Sequence, residues 1–139
     1  MAKGLENNWA LILGASSGFG EAAAIELASR GMNIFGVHLD RKGTMPKVEA
    51  IKEKIKGHGR EASFFNINAA DADQRSEVLG EIEQILDEHE NPSGVKLLIH
   101  SLAFGTLKPY IAEDEKARVS AKNMEMTLDV MAHSLVYWA

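Results

Sequence analysis

Three glycines and two serines stand where an apolar run gives way to a helical pattern. They are Gly14, Ser16, Ser17, Gly18 and Gly20, within LILGASSGFGEAAAIELASRG. A helix start offers unpaired N–H groups and the positive end of the helix dipole, and both favour a phosphate. A phosphate reaches such a backbone only where no Cβ blocks it, which is what glycine provides. Ser16 and Ser17 add hydroxyl donors, and one of them can cap the helix. The chemistry implied is capture of a dinucleotide pyrophosphate. Gly14, Ser16, Ser17, Gly18, Phe19 and Gly20 are the expected cofactor contacts.

A second requirement of that chemistry lies at the end of the next apolar run, NIFGVHL. An acidic residue there can hydrogen-bond the adenosine ribose, while a basic one accepts a 2′-phosphate. Asp40 favours NAD and Arg41 favours NADP, and their adjacency leaves the choice of NAD or NADP open. His38 reads as a strand-end residue without chemistry, since a lone histidine is not a metal site.

These residues need alternating strands and helices to position them. Residues 9–13, 33–39, 62–67 and 95–99 are short apolar runs and predict strands. Residues 21–30 carry Ala22, Ile25 and Ala28 or Leu27 at helical spacing, and Gly31 follows as a stop. Residues 47–56 place Val48, Ile51 and Ile55 on one face, with Pro46 in the first turn. Asp71 or Asp73 caps a long helix with Val78, Ile82, Ile85 and Leu86 inward. Asn91, Pro92, Ser93 and Gly94 break the chain before the fourth strand, and residues 124–138 predict an apolar helix. The order βαβαβαβα argues for a parallel sheet with helices on both faces, an α/β fold in one domain over residues 1–139.

Composition bounds the rest. The chain has 139 residues, 45% of them apolar and 25% charged, which suits one domain with a real core. A net charge of -5 gives no basic face for nucleic acid. Without cysteine there is no disulfide, thiolate metal site or cysteine nucleophile. No apolar stretch approaches the length of a membrane span, and MAKGLENNWA lacks the order of a secretory signal. The expected location is cytoplasmic.

The GASSGFG spacing resembles the short-chain dehydrogenase/reductase family, and the resemblance runs from the first strand to the last helix. It implies a Rossmann-type parallel sheet and an NAD(P)-dependent oxidoreductase. At the end of the fourth strand the general family pattern is Asn-Asn-Ala-Gly. Here His100-Ser101-Leu102-Ala103 stands instead, similar to the enoyl-acyl-carrier-protein reductase branch. The resemblance makes Ser101, Leu102 and Ala103 cofactor contacts and an acyl-carrier-protein-linked enoyl thioester the substrate. Met131 in TLDVMAHSL replaces the asparagine that other members use in catalysis, which also suits that branch. For the family's aspartate near the adenine, Asn68 is the best match and Asn66 the alternative.

The family's proton-donating tyrosine and its lysine partner have no match here, because neither Tyr110 nor Tyr137 has a lysine at the family's spacing. The expectation is therefore a truncated piece: the nucleotide half of a reductase, without catalytic residues of its own. Tyr137 reads as a packing residue beside Trp138. Met126, Leu128, Val130, Met131, Leu135, Tyr137 and Trp138 give the last helix an apolar surface that the resemblance assigns to a homo-oligomer contact. Other readings of the same residues are a ketone or alcohol dehydrogenase, a nucleotide-binding or partner-docking module without turnover, and a flavodoxin-like domain that binds no dinucleotide.

Overall fold

The computed structural model describes residues 4–89 and 94–139. The chain forms one compact unit up to Ser101 and a second from Leu102 to Ala139. In the first, β1 (Trp9–Leu13), α1 (Gly18–Ser29), β2 (Asn33–His38), α2 (Met45–Gly57), β3 (Ala62–Asn66), α3 (Ala72–Glu88) and β4 (Val95–His100) alternate. The strands make one parallel sheet in the order β3-β2-β1-β4. This is the α/β Rossmann-like arrangement that the alternation predicts.

The two central strands are buried along their whole length. Residues alternate between the two faces. Ala10, Ile12 and Ile34 share one face with Ala24 and Ala28 of α1 and with Ile51 and Ile55 of α2. On the other, Trp9 stacks on Phe35 with ring centroids 3.9 Å apart, and Phe65 tilts against Phe35. The edge strands β3 and β4 are only half-buried or exposed, unlike the continuous burial their apolar runs imply.

The helix faces follow the sequence in α2, where Val48, Ile51 and Ile55 are all buried. In α1 the buried row is Gly20, Ala24 and Ala28, and Ala22 faces out. Side chains this small let the helix lie close on the sheet. Asp71, not Asp73, caps α3: its carboxylate accepts from Gln74 N at 2.9 Å. Val78 and Ile82 are buried, while Ile85 and Leu86 are half-buried. The predicted break at Asn91, Pro92 and Ser93 lies outside the described residues. Gly94, the last residue of that break, accepts a hydrogen bond from Trp9 N at 3.1 Å.

The second unit begins with an irregular stretch holding one 3-10 turn, Glu115–Ala117. The single apolar helix expected over 124–138 is instead three pieces. Helix α4 (Ala121–Leu128) starts earlier, on a capping box in which Ser120 and Asn123 satisfy each other's backbone. A π-helical turn, Asp129–His133, interrupts the helix before α5 (Ser134–Trp138). Trp138 is buried rather than part of an exposed surface. Tyr137 is half in solvent, and its hydroxyl donates to Asp129 Oδ1 at 2.8 Å, so it is held by a hydrogen bond and not by packing alone.

Candidate functional site

The site lies where β1 and β2 end. Leaving β1, the chain turns on Gly14 at φ +87°, a conformation that suits glycine. Val37 O accepts from both Gly14 N (2.8 Å) and Ala15 N (3.0 Å), which ties the loop to β2. Gly18 opens α1 at φ +56°.

The first turn of α1 is open. Its first i→i−4 bond runs from Glu21 N to Ser17 O at 3.2 Å. The N–H groups of Gly18, Phe19 and Gly20 therefore lack intrahelical acceptors. Ser17 is the N-cap in extended conformation, but its hydroxyl makes no capping bond, contrary to the expected capping role. The Ser16 hydroxyl is among the groups that favour the charged form of Asp40. A Cβ added at Gly18 would meet nothing within 4 Å, so the approach to this helix end is clear. Gly20 differs: a Cβ there would overlap the carbonyl of Gly14, so this glycine is needed for packing of helix on loop. Phe19 is 91% exposed.

Asp40 sits just past the end of β2. Burial would raise its carboxyl pKa, but the Ser16 and Thr44 hydroxyls and the His38 ring outweigh that and hold it below the ordinary carboxylate value. It is therefore an anion at neutral pH. His38 is buried, with Nδ1 3.0 Å from Asp40 Oδ2. Burial holds the His38 ring below its ordinary pKa against the opposing pull of Asp40, so it is neutral. Thus His38, which the sequence marked as inert, supports the site. Its signal was present: residues i and i+2 of an extended chain point to the same side.

Arg41 is exposed, and its carbonyl accepts from the Thr44 hydroxyl at 3.0 Å. Asn66 brackets Asp40 from the end of β3. Asp40 N donates to Asn66 Oδ1 at 2.8 Å, and Asn66 Nδ2 donates to Asp40 O at 3.0 Å. Asn68 lies on the turn into α3. Its Oδ1 accepts from Ala70 N, and its own N–H donates to Gln74 Oε1. Of the two asparagines, Asn66 is the one joined to Asp40. Ser101 follows β4, and its N–H donates to Leu13 O at 2.8 Å, which sets it beside the start of the glycine loop. In the second unit Leu102 is half-buried and Ala103 exposed. Among the described residues no three His, Asp or Glu side chains gather to hold a metal. No described helix is long and apolar enough to cross a membrane.

An open helix N-terminus beside a fixed, ionised carboxylate suits a ligand that carries phosphate at one point and hydroxyls at another. The family model for short chain dehydrogenases matches residues 8–138. The chain belongs to the short-chain dehydrogenase family. It is 36% identical over 107 residues to 2,3-dihydro-2,3-dihydroxybenzoate dehydrogenase of Bacillus subtilis, which covers 73% of this chain and 40% of that protein. It is 37% identical over 76 residues to 3-oxoacyl-acyl-carrier-protein reductase FabG of Staphylococcus epidermidis, covering 55% and 30%.

Solved structures share the short-chain dehydrogenase fold across 96% of the chain. An NADH-dependent reductase, A1-R′, complexed with NAD matches at a TM-score of 0.70 and 20% identity over 50% of its own length. YwfH, an NADPH dependent reductase involved in bacilysin biosynthesis, matches at 0.74 and 18% over 47%. The chain thus spans half or less of the relatives it matches, and neither curated relative is named for an enoyl substrate.

Proposed function

We propose that this chain is the nucleotide-binding portion of an NAD(P)-dependent oxidoreductase that works in the cytoplasm, with NAD(H) preferred. The observation that carries the reading is the anionic Asp40 beside the open first turn of α1. Gly14, Ser17, Gly18, Phe19 and Gly20 would face the pyrophosphate, and Asp40 the adenosine ribose. The exposed Arg41 points the other way, toward a 2′-phosphate, but the ionised carboxylate next to it repels that group. Asn68 near the adenine, and Ser101, Leu102 and Ala103 on the nicotinamide side, complete the proposed contacts. Bound NAD(H) supplies the hydride.

The substrate we propose is an enoyl thioester on acyl carrier protein, on the strength of His100-Ser101-Leu102-Ala103 and of Met131. Hydride goes to the β-carbon and a proton to the α-carbon, with the proton donor taken from outside these 139 residues. A second reading, reduction of a 3-oxoacyl thioester, is favoured by the similarity to the FabG reductase. The exposed Met131, Leu135 and Val136 suit a contact with a second copy.

Calorimetric titration of the chain with NADH and NADPH tests the cofactor reading. Binding of NADH that is lost in Gly18→Trp supports it, and a folded chain that binds neither nucleotide refutes it. NADH oxidation by the native gene product with crotonoyl- against acetoacetyl-acyl-carrier-protein separates the two substrates.

A further inference from the structure

We infer that His38 is a positioning residue for nucleotide discrimination: it holds the Asp40 carboxylate in place without cancelling its charge. The inference rests on the reading of Asp40 as the ribose partner. His38 is the last residue of β2 and only 3% exposed, with its ring against Phe64 at a centroid distance of 6.1 Å. Its Nδ1 lies 3.0 Å from Asp40 Oδ2. An ionised carboxylate can only accept, so the imidazole donates through Nδ1–H. The tautomer is thereby set by Asp40, and the carboxylate in turn by His38.

Three side chains act on this carboxylate: His38 from β2 through the 3.0 Å hydrogen bond, and the Ser16 hydroxyl of the glycine loop and the Thr44 hydroxyl of the turn before α2 as further groups that favour its charge. Two are rotatable hydroxyls at positions partly or fully open to solvent. The imidazole is the one rigid, buried group of the three. A carboxylate fixed beforehand loses less freedom when a ribose hydroxyl arrives.

The choice of imidazole also has an electrostatic consequence. A lysine or arginine at position 38 would hold Asp40 equally well but would neutralise it. The pair would then no longer repel a 2′-phosphate. A neutral donor keeps the full negative charge while fixing its direction. The discrimination against NADPH therefore depends on a residue that touches neither nucleotide.

The test is a cycle of NADH and NADPH dissociation constants for the wild type, His38→Leu, His38→Asn, Asp40→Asn and the double variant His38→Leu/Asp40→Asn. In the wild type NADH binds more tightly. His38→Leu narrows that preference by about tenfold, the worth of one hydrogen bond to a charged group. His38→Asn, which retains an N–H donor at the δ position, restores most of it. In the Asp40→Asn background His38→Leu changes nothing further.

If Asp40→Asn abolishes the preference but His38→Leu leaves it intact, the inference falls and the reading of Asp40 stands. If His38→Leu acts equally with and without Asp40, the inference falls too, because the effect does not pass through the carboxylate. If the wild type shows no preference, or Asp40→Asn leaves it unchanged, the reading falls and carries the inference with it. Nitrogen-15 shifts of the His38 ring in the wild type give a check that needs no folded variant. The Nδ1–H tautomer is expected, and the Nε2–H tautomer overturns the proposal.

Discussion

Asn66 holds both polar groups of the Asp40 main chain, accepting from its N–H at 2.8 Å and donating to its C=O at 3.0 Å. The two residues are 26 positions apart and stand at the ends of neighbouring strands, with His38 paired to Asn66 in the register. The side chain thus extends the β2–β3 ladder by one step, past the point where the strands separate. Asn66→Ala removes both bonds and is expected to cost about 1 kcal/mol for each. Asn66→Asp is worse, because it loses the donor and sets a second carboxylate beside Asp40, which raises the Asp40 pKa. Urea unfolding and NADH titration check both. Unchanged stability and unchanged NADH affinity in Asn66→Ala would show that the clamp is idle.

Acid is expected to destabilise the chain in two stages. Burial lowers the His38 pKa below 6.5 in the fold, where Asp40 and Glu49 pull it up and Lys52 pushes it further down. The unfolded chain therefore binds the proton first, and stability falls as pH drops from about 6.5 toward the folded value. Asp40 is also lowered in the fold, in spite of its burial, by the Ser16 and Thr44 hydroxyls and the His38 ring. Its contribution is present above pH 4 or so and is lost as pH falls through its folded pKa. Stability measured from pH 8 to pH 3 should decline in both windows. His38→Asn should flatten the upper one. A decline between pH 7 and pH 5 of the same slope in His38→Asn would assign it to another group.

Much of the first unit was legible because its signals are local. The apolar run 9–13 is β1 with the same bounds, and the period of Val48, Ile51 and Ile55 gives the buried face of α2. The glycine loop could be read because each glycine answers a backbone need that other residues meet poorly. What the sequence left unread lies where a distant partner decides. Asn66 reaches Asp40 only because strand pairing brings it there. Ser17 leaves the helix end open, although serine is a good cap by type. The π-turn at Asp129–His133 has no marker in an otherwise unbroken apolar pattern, which lacks proline and glycine.

Gly36 and Phe64 form a pair that can be tested by exchange. A Cβ at Gly36 would stand 2.7 Å from Cε1 of the Phe64 ring on the neighbouring strand. Gly36→Ala is expected to lose about 1–3 kcal/mol by overpacking. Phe64→Leu in the same chain should return part of that loss, since the obstacle is one side chain and not backbone. A double-mutant cycle in urea reads the coupling. Strict additivity would show that the ring moves aside freely.

Gly18 and Gly20 should separate binding from folding, although they are two residues apart. Gly18 holds φ +56°, and the space where its Cβ would stand is empty. Gly18→Ala carries the cost of a left-handed alanine, about 1 kcal/mol, and leaves the fold intact. Its methyl group nevertheless stands at the open helix end, where a pyrophosphate must approach. NADH affinity is therefore expected to fall at least tenfold while the urea midpoint moves little. Gly20→Ala reverses the pattern, because its methyl group meets the carbonyl of Gly14, and backbone cannot turn away as a side chain does. About 3 kcal/mol or more of stability should be lost, with α1 displaced from the end of β1. The pair is informative because simple loop disruption would weaken folding and binding together in both variants. If Gly18→Ala binds NADH as tightly as the wild type, the phosphate does not approach over Gly18.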